Sequence, residues 1–264
     1  TDHIAGLLGV EPAGIIYTSG ASESNNLAIK GIAQASRNTG RHMISTVLEH
    51  ASVGGTLTAL QQQGREVDLL DIQRDGTIDL EQLGDLLRKD TILVSVCAVD
   101  SELGTVQPIR KITEILKDFP NCRLHVDATQ AIGKTELVMD GVDTMSIAPH
   151  KFYGLNGSGL LLKKSSLIIE PQTHGGSSTT PYRSGTPALA LAVSIEKALQ
   201  LTLTQQEERI RYVRQLNEYL KTALLHYPAV RINSPEGAVP HILNLSVQGL
   251  KGTVFQRVLS ERGV

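Results

Sequence analysis

The chain has 264 residues, of which 41% are hydrophobic and 20% charged, and its formal charge is −2 at pH 7. At about 150 residues per domain it exceeds one ordinary unit, although single α/β folds reach about 250, so a sizeable core is within reach. No apolar run approaches the roughly 20 residues needed to cross a bilayer, and neither the net charge nor any Lys/Arg block offers a nucleic-acid footprint, which argues against membrane insertion and polyanion binding.

The first eight residues read as the middle of an amphipathic helix, not as a signal peptide, so the sequence is expected to be a fragment or the ordered part of a longer chain. A short strand at 15–17 leads into Thr18-Ser-Gly-Ala-Ser-Glu-Ser-Asn-Asn26, whose small residues precede a helical run with apolar Leu27, Ile29, Ile32 and Ala33. A strand, a small-residue turn and a helix start together make an anion site, because unpaired backbone N–H groups and the positive end of the helix dipole meet there. Ser and Asn at a helix start also serve as ordinary caps. The next strand, 42–47, closes on Glu49 and His50 before a helix at 52–63. Strand 66–72, the Asp75-Gly76 turn and helix 80–87 read as architecture.

The run from Ile92 to Val99 is almost continuously apolar, as expected of a central strand covered on both faces. Helix 112–119 precedes a strand at 123–126 that ends in Asp127, a carboxylate on the side where open α/β sheets bind small molecules. A loop at 133–142 and a strand at 144–148 return the chain to the same edge, at Ala148-Pro-His-Lys151. A lysine at the end of an interior strand is expected to be a buried amine, which must find a partner or lose its charge; one use of such an amine is a Schiff base. The Gly154-Leu-Asn-Gly-Ser-Gly159 segment lacks the Gly-Lys-Ser/Thr ending of a P-loop and leads into a strand at 160–163, so it reads as a turn. One or two helices fill 187–225, with strands at 230–232 and 242–246 and a helix at 252–263 completing a smaller α+β part. Cys97 and Cys122 lie in strand-like runs and are expected to be reduced and buried.

Four stretches carry a family resemblance: Tyr17-Thr-Ser-Gly-Ala-Ser-Glu-Ser-Asn25, Leu48-Glu-His50, Leu124-His-Val-Asp-Ala-Thr-Gln130 and the segment ending in Lys151. In this order they resemble the class V aminotransferase family of pyridoxal 5′-phosphate (PLP) enzymes, and within it the NifS-like cysteine desulfurases, from about Ile4 to the last residue. The resemblance implies PLP fold type I, an α/β fold with a mainly parallel central sheet flanked by helices. It also implies a large cofactor domain at 1–190 and a smaller α+β domain at 191–264, each incomplete at its outer end. Carried over residue by residue, Ala21 and Ser22 are implied to hold the cofactor phosphate, and His50 to stack on the pyridine ring. Asp127 is implied to keep the pyridine nitrogen protonated, Gln130 to bond the phenolic oxygen, and Lys151 to be the Schiff-base lysine, with His150 beside it in the cofactor site. Thr186, closing Arg-Ser-Gly-Thr, is implied to touch the cofactor phosphate of a dimer partner.

The match departs from the family at Ser101 and Asp100, where two asparagines are usual, at Ala148, where a phosphate-binding serine is usual, and at Ser178-Thr-Thr-Pro181 inside the loop before Thr186. The implied activity is conversion of L-cysteine to L-alanine with sulfur passed to an acceptor or scaffold protein, for iron–sulfur cluster or thiolated-nucleoside assembly, by a cytoplasmic homodimer. In the family the sulfur-accepting cysteine follows the helix matching 252–263, so a chain ending at Val264 is expected not to turn over cysteine. A selenocysteine lyase, another class V enzyme and a non-catalytic homologue of the same fold are the alternatives left open.

Overall fold

The computed structural model describes residues 1–176 and 179–263; Ser178, in the divergent stretch before Thr186, and Val264 lie outside the described residues. Helix α1 (Asp2–Leu8) ends on Gly9 and leads to strand β1 (Ile15–Thr18). There follow α2 (Ala21–Ala35), β2 (His42–Thr46), α3 (Ala51–Gln61), β3 (Glu66–Leu70), α4 (Leu80–Leu86) and β4 (Thr91–Cys97). The second half holds α5 (Ile109–Leu116), β5 (Arg123–Asp127), β6 (Thr144–Ile147), β7 (Gly159–Lys163), α6 (Leu189–Thr204), α7 (Gln206–Leu224), β8 (Val230–Ile232), β9 (Leu245–Val247) and α8 (Gly252–Glu261).

Seven strands form one sheet in the order β1-β7-β6-β5-β4-β2-β3. The pairs β3–β2, β2–β4, β4–β5 and β5–β6 are parallel, and β7 runs antiparallel to both its neighbours. Alternating strand residues feed two cores. On β7, Leu160 and Leu162 join the core that holds Ile4, Leu83, Ile112, Ile195 and Leu199, whereas Leu161 joins Leu27, Ile29, Ile32, Val53 and Leu57 beneath α2 and α3. Each such fully buried aliphatic side chain contributes about 1.5–3 kcal/mol of transfer free energy, which explains why β4 can afford seven consecutive buried residues. Cys97 and Cys122 are both buried and unpaired, as expected.

Two expectations shift and one is narrowed. The central strand stops at Cys97, not Val99, because the Ala98 N–H turns to the Asp127 carbonyl (2.8 Å) and the Ala98 carbonyl accepts from Gln107 (2.9 Å). The 187–225 run divides into two helices at Gln205, and α7 buries none of its residues, so Leu216 and Leu220 on its apolar stripe stay exposed. The last strand begins at Leu245 because Asn244 is engaged upstream: its N–H donates to Ser234 Oγ (2.7 Å) and its carbonyl accepts from the Asn233 N–H (2.8 Å). β8 pairs with β9 as a separate two-stranded antiparallel sheet.

Candidate functional site

The carboxyl ends of β2, β4, β5 and β6 open onto a cavity of about 650 Å³, at the edge where parallel strands of such sheets present ligand-binding loops. Ala21, Ser22, His50, Ser101, Asp127, Gln130, His150 and Lys151 all border it, together with Cys97, Thr129, Ala148 and Gly157. Thr186 does not. It is exposed and borders an adjoining cavity of about 160 Å³ that shares Ser19 and Gly157 with the first. A further cavity of about 260 Å³ lies at the opposite end of the sheet, around Asp143 and Lys164.

The floor is a buried polar chain. Asp127 is 5% exposed and accepts from the Thr129 N–H (2.9 Å) and from Asn25 Nδ2 (2.8 Å). Asn25, fully buried on α2, also donates to Ser52 Oγ (2.9 Å), and its Oδ1 accepts from His125 Nε2 (3.0 Å). That bond places the imidazole proton on Nε2, leaving Nδ1 to accept from Thr144 Oγ1 at 2.9 Å. Burial holds the His125 pKa well below its usual range despite the nearby Asp127 charge, so the ring is neutral. Ser52 Oγ continues the chain to His50 Nδ1 (2.9 Å), which also accepts the Ser52 N–H (3.1 Å) and so caps α3. His50 therefore has a structural task as well as a place on the cavity.

Glu49, beside it, does not line the cavity but braces the strand ends behind it, a role that sequence reading misses. Its Oε1 accepts from the Cys97 N–H (2.7 Å) and Thr46 Oγ1 (3.0 Å), tying the end of β2 to the end of β4, while Oε2 is buried without a partner. The residue as a whole is part-exposed, but its carboxylate is not. Burial, reinforced by the Asp127 charge and opposed by those two bonds, pushes the Glu49 pKa up to about 8. Burial and the neighbouring Glu49, Asp100 and Asp127 likewise push the Cys97 thiol far up. Asp100 does not face a ligand: its Oδ1 accepts the N–H groups of Glu102 (3.2 Å) and Leu103 (2.5 Å) and shapes the turn that presents Ser101.

The start of α2 forms one wall. No side chain caps it, and the N–H groups of its first turn lie at the cavity with Ala21 and Ser22, as an anion cradle requires. Gly159 makes this approach possible, because a Cβ there would stand 2.6 Å from Gly20 Cα and 2.7 Å from Thr18 Oγ1. Glu23 anchors the loop carrying Thr186: Oε1 accepts from Arg183 Nε (2.8 Å) and Oε2 from the Ser19 N–H (2.6 Å). Burial pushes the Glu23 pKa up, but those partners outweigh it and the carboxyl ends below its ordinary value.

Lys151 is exposed on the cavity wall, which corrects the expectation of a buried amine. β6 ends at Ile147, and Pro149 opens a single 3-10 turn over Pro149–Lys151 that lifts the lysine out of the sheet. The turn is locked from below: Phe152 is 1% exposed, its carbonyl accepts from Thr202 Oγ1 of α6 (3.2 Å), and Pro149 presses on Gly154, where a Cβ would meet it at 2.6 Å. Tyr153 follows at φ 70°, the one non-glycine residue in the left-handed region among the described residues, with Arg209 stacked 4.5 Å from its ring centre. The lysine that the fold buries is Lys163, whose Nζ donates to the carbonyls of Lys164 (2.7 Å) and Leu167 (2.6 Å) below the Tyr182 ring. Beside Lys151, burial and the Lys151 charge lower the pKa of His150 and bring Lys134 down to about 8. Lys134 was invisible as a site residue because it lies in a loop with no periodic pattern.

The donor set fits a pyridine aldehyde phosphate: a buried carboxylate for a ring nitrogen, an uncapped helix start for a phosphate, an open amine for an aldehyde, and an orphaned Thr129 Oγ1 with no partner of its own. Comparison with known proteins follows the same line. A family model described as aminotransferase class-V matches residues 1–264. A NifS/IcsS protein homolog from Lactobacillus delbrueckii subsp. bulgaricus is 40% identical over 267 residues, covering 99% of this chain and 69% of that protein. The cysteine desulfurase IscS of Dictyoglomus turgidum is 34% identical, with 100% and 68% covered, so the chain spans about two thirds of the length of these relatives. Among solved structures, a NifS-like protein superposes with a TM-score of 0.96 at 32% identity, covering all of this chain and 73% of its own.

Proposed function

From the premise that this chain belongs to the class V aminotransferase family, we propose that it is a PLP-dependent cysteine desulfurase, converting L-cysteine to L-alanine and passing the sulfur to an acceptor protein. The observation that carries this reading is the convergence of Lys151, Asp127, Gln130, His50 and the start of α2 on one cavity. When bound, PLP supplies an electron sink for negative charge developing at the substrate Cα. Lys151 would hold the cofactor through its amine and, once the substrate amine displaces it, would be free to take the α-proton, which its exposed position on a locked turn allows. Asp127, fixed by Asn25 and the Thr129 N–H, keeps a proton on the ring nitrogen. Gln130 would donate to the phenolic oxygen, His50 would stack on the ring, and the N–H groups at Ala21 and Ser22 would take the phosphate. Ser101 and His150 border the same cavity and complete the cofactor-binding set. Thr186 completes the phosphate site of a second copy in a homodimer.

The thiolate that accepts sulfur is assigned to neither Cys97 nor Cys122. Burial pushes Cys122 to about 12 and Cys97 far up, so neither supplies a thiolate near neutral pH. Their reduced, unpaired state supports a cytoplasmic location. The separate β8–β9 sheet supports a smaller C-terminal unit, with the division placed near residue 190. The test is borohydride reduction of the PLP-loaded protein and peptide mapping, alongside alanine formation from L-cysteine. Label on Lys151, lost in Lys151→Ala, is expected; no label there with PLP in excess would sink the proposal.

A further inference from the structure

We propose that Lys134 is a positioning residue that fixes the side-chain amide of Gln130 so that its N–H end faces the cavity. The inference rests on the PLP reading above and concerns how that site is set. Lys134 Nζ donates to Gln130 Oε1, one helical turn back in sequence. An ammonium carries donors only, so it can meet the amide at its oxygen and not at its nitrogen. With the oxygen so engaged, the NH2 group is what Gln130 presents to the cavity it borders. Remove the ammonium and the two ends of the amide become nearly equivalent, since no other side-chain hydrogen bond of Gln130 among the described residues selects between them.

The backbone aims Lys134 at this task. The N–H groups of Lys134 (2.9 Å) and Thr135 (3.1 Å) both donate to the Ala131 carbonyl, closing a tight turn. Gly133 takes φ 74°, and a Cβ there would stand 2.3 Å from Thr202 Cγ2 of α6, so the turn is pressed under that helix. The charge acting on Lys134 is that of Lys151, across the cavity edge; His241, whose Nδ1 is buried without a partner, has its own pKa lowered by burial and the Lys134 charge. Burial first, and then Lys151, bring the Lys134 amine down to about 8, so it is mainly an ammonium at neutral pH. An amide N–H donor beside two lysines suits an oxyanion, the chemistry of a phenolate; the carbonyl end would repel one.

The test is made on the full-length protein with PLP itself as the probe. Lys134→Met, or Lys134→Gln should the first not fold, is expected to weaken PLP binding about tenfold, in the range of one bond to a charged partner. It should also raise the pH midpoint of the bound cofactor's visible absorption by about one unit, because the oxyanion loses its donor. Lys134→Arg, which keeps the cation, should restore most of both. Gln130→Ala should match Lys134→Met, and the double variant should lose less than about twofold more, as residues acting through one bond are not additive. A midpoint unmoved in Lys134→Met, or losses that multiply in the double variant, would overturn the proposal. Failure of the unaltered protein to take up PLP would instead overturn the functional reading on which it rests.

Discussion

Replacing Glu49 by glutamine isolates one proton. In the folded chain the Glu49 pKa stands at about 8, against an ordinary 4.5, because burial and the Asp127 charge outweigh the bonds from Cys97 and Thr46. The folded state therefore keeps this proton where the unfolded chain gives it up. As pH rises from 4.5 towards 8, folding loses up to about 1.4 kcal/mol per pH unit through this group, and above 8 the loss levels off. Glutamine preserves the acceptor that takes the Cys97 N–H (2.7 Å) and the Thr46 hydroxyl (3.0 Å). Its NH2 group lies unpaired where Oε2 now does, at a cost of about 1–3 kcal/mol that does not vary with pH. The difference between Glu49→Gln and the unaltered protein should therefore move in favour of glutamine by about 2–3 kcal/mol between about pH 5.5 and 7.5. The assay is urea denaturation of the cofactor-free protein at both pH values. In an Asp127→Asn background the movement should shrink, since part of the shift comes from that charge. A difference constant to within about 0.5 kcal/mol would refute the reasoning, because it would mean that Glu49 carries no proton at neutral pH.

Two further outcomes can be checked on the same protein. Asn25→Ala removes the amide that joins Asp127 (2.8 Å), His125 (3.0 Å) and Ser52 (2.9 Å) in a fully buried position. It should cost about 3–5 kcal/mol in denaturation, and a loss below about 1 kcal/mol would show that these groups find other partners. Iodoacetamide labelling with peptide mapping should find Cys97 and Cys122 unreactive over minutes at about pH 8 and both labelled in denaturant. Rapid labelling of Cys97 in the folded protein would place a thiolate where burial and three carboxylates oppose one.

Much of this fold is legible along the chain, because a strand covered on both faces must be apolar throughout and a helix must repeat its apolar face. The run from Ile92 announces itself in this way. The candidate cofactor residues that line the cavity lie on short stretches at strand ends and a helix start, places fixed by local punctuation. What was not legible depends on partners distant in sequence. Asn25 meets Asp127 across 102 positions, and nothing local to either residue marks the pair. Glu49 reads as an ordinary strand-end acid until β4 closes over it. Lys151 was expected to be buried because its strand points inward, but Pro149 ends that strand early and the lysine leaves on the turn. Asn244 delays the last strand for a comparable reason, with its polar groups already engaged across the turn.

The site divides by burial into two kinds of group, and the division follows from what each is asked to do. Asp127, Asn25, His125 and the Glu49 carboxyl lie hydrogen-bonded in the floor, where burial keeps the His125 ring neutral and pushes the Glu49 pKa up to about 8. A low dielectric makes such partners worth more, and it makes any unpaired member costly. Lys151, His50, His150 and Ser101 stand on the open wall, where water can exchange for cofactor or substrate at little cost. The Asn25 amide and the Thr129 N–H bond the two Asp127 oxygens separately, which leaves lone pairs on both for a ligand. The same floor secures the wall, since Asn25 bonds Ser52, Ser52 bonds His50, and His50 caps α3. Stability and function are thus coupled through Asn25, and a floor residue can disturb the wall without touching a ligand.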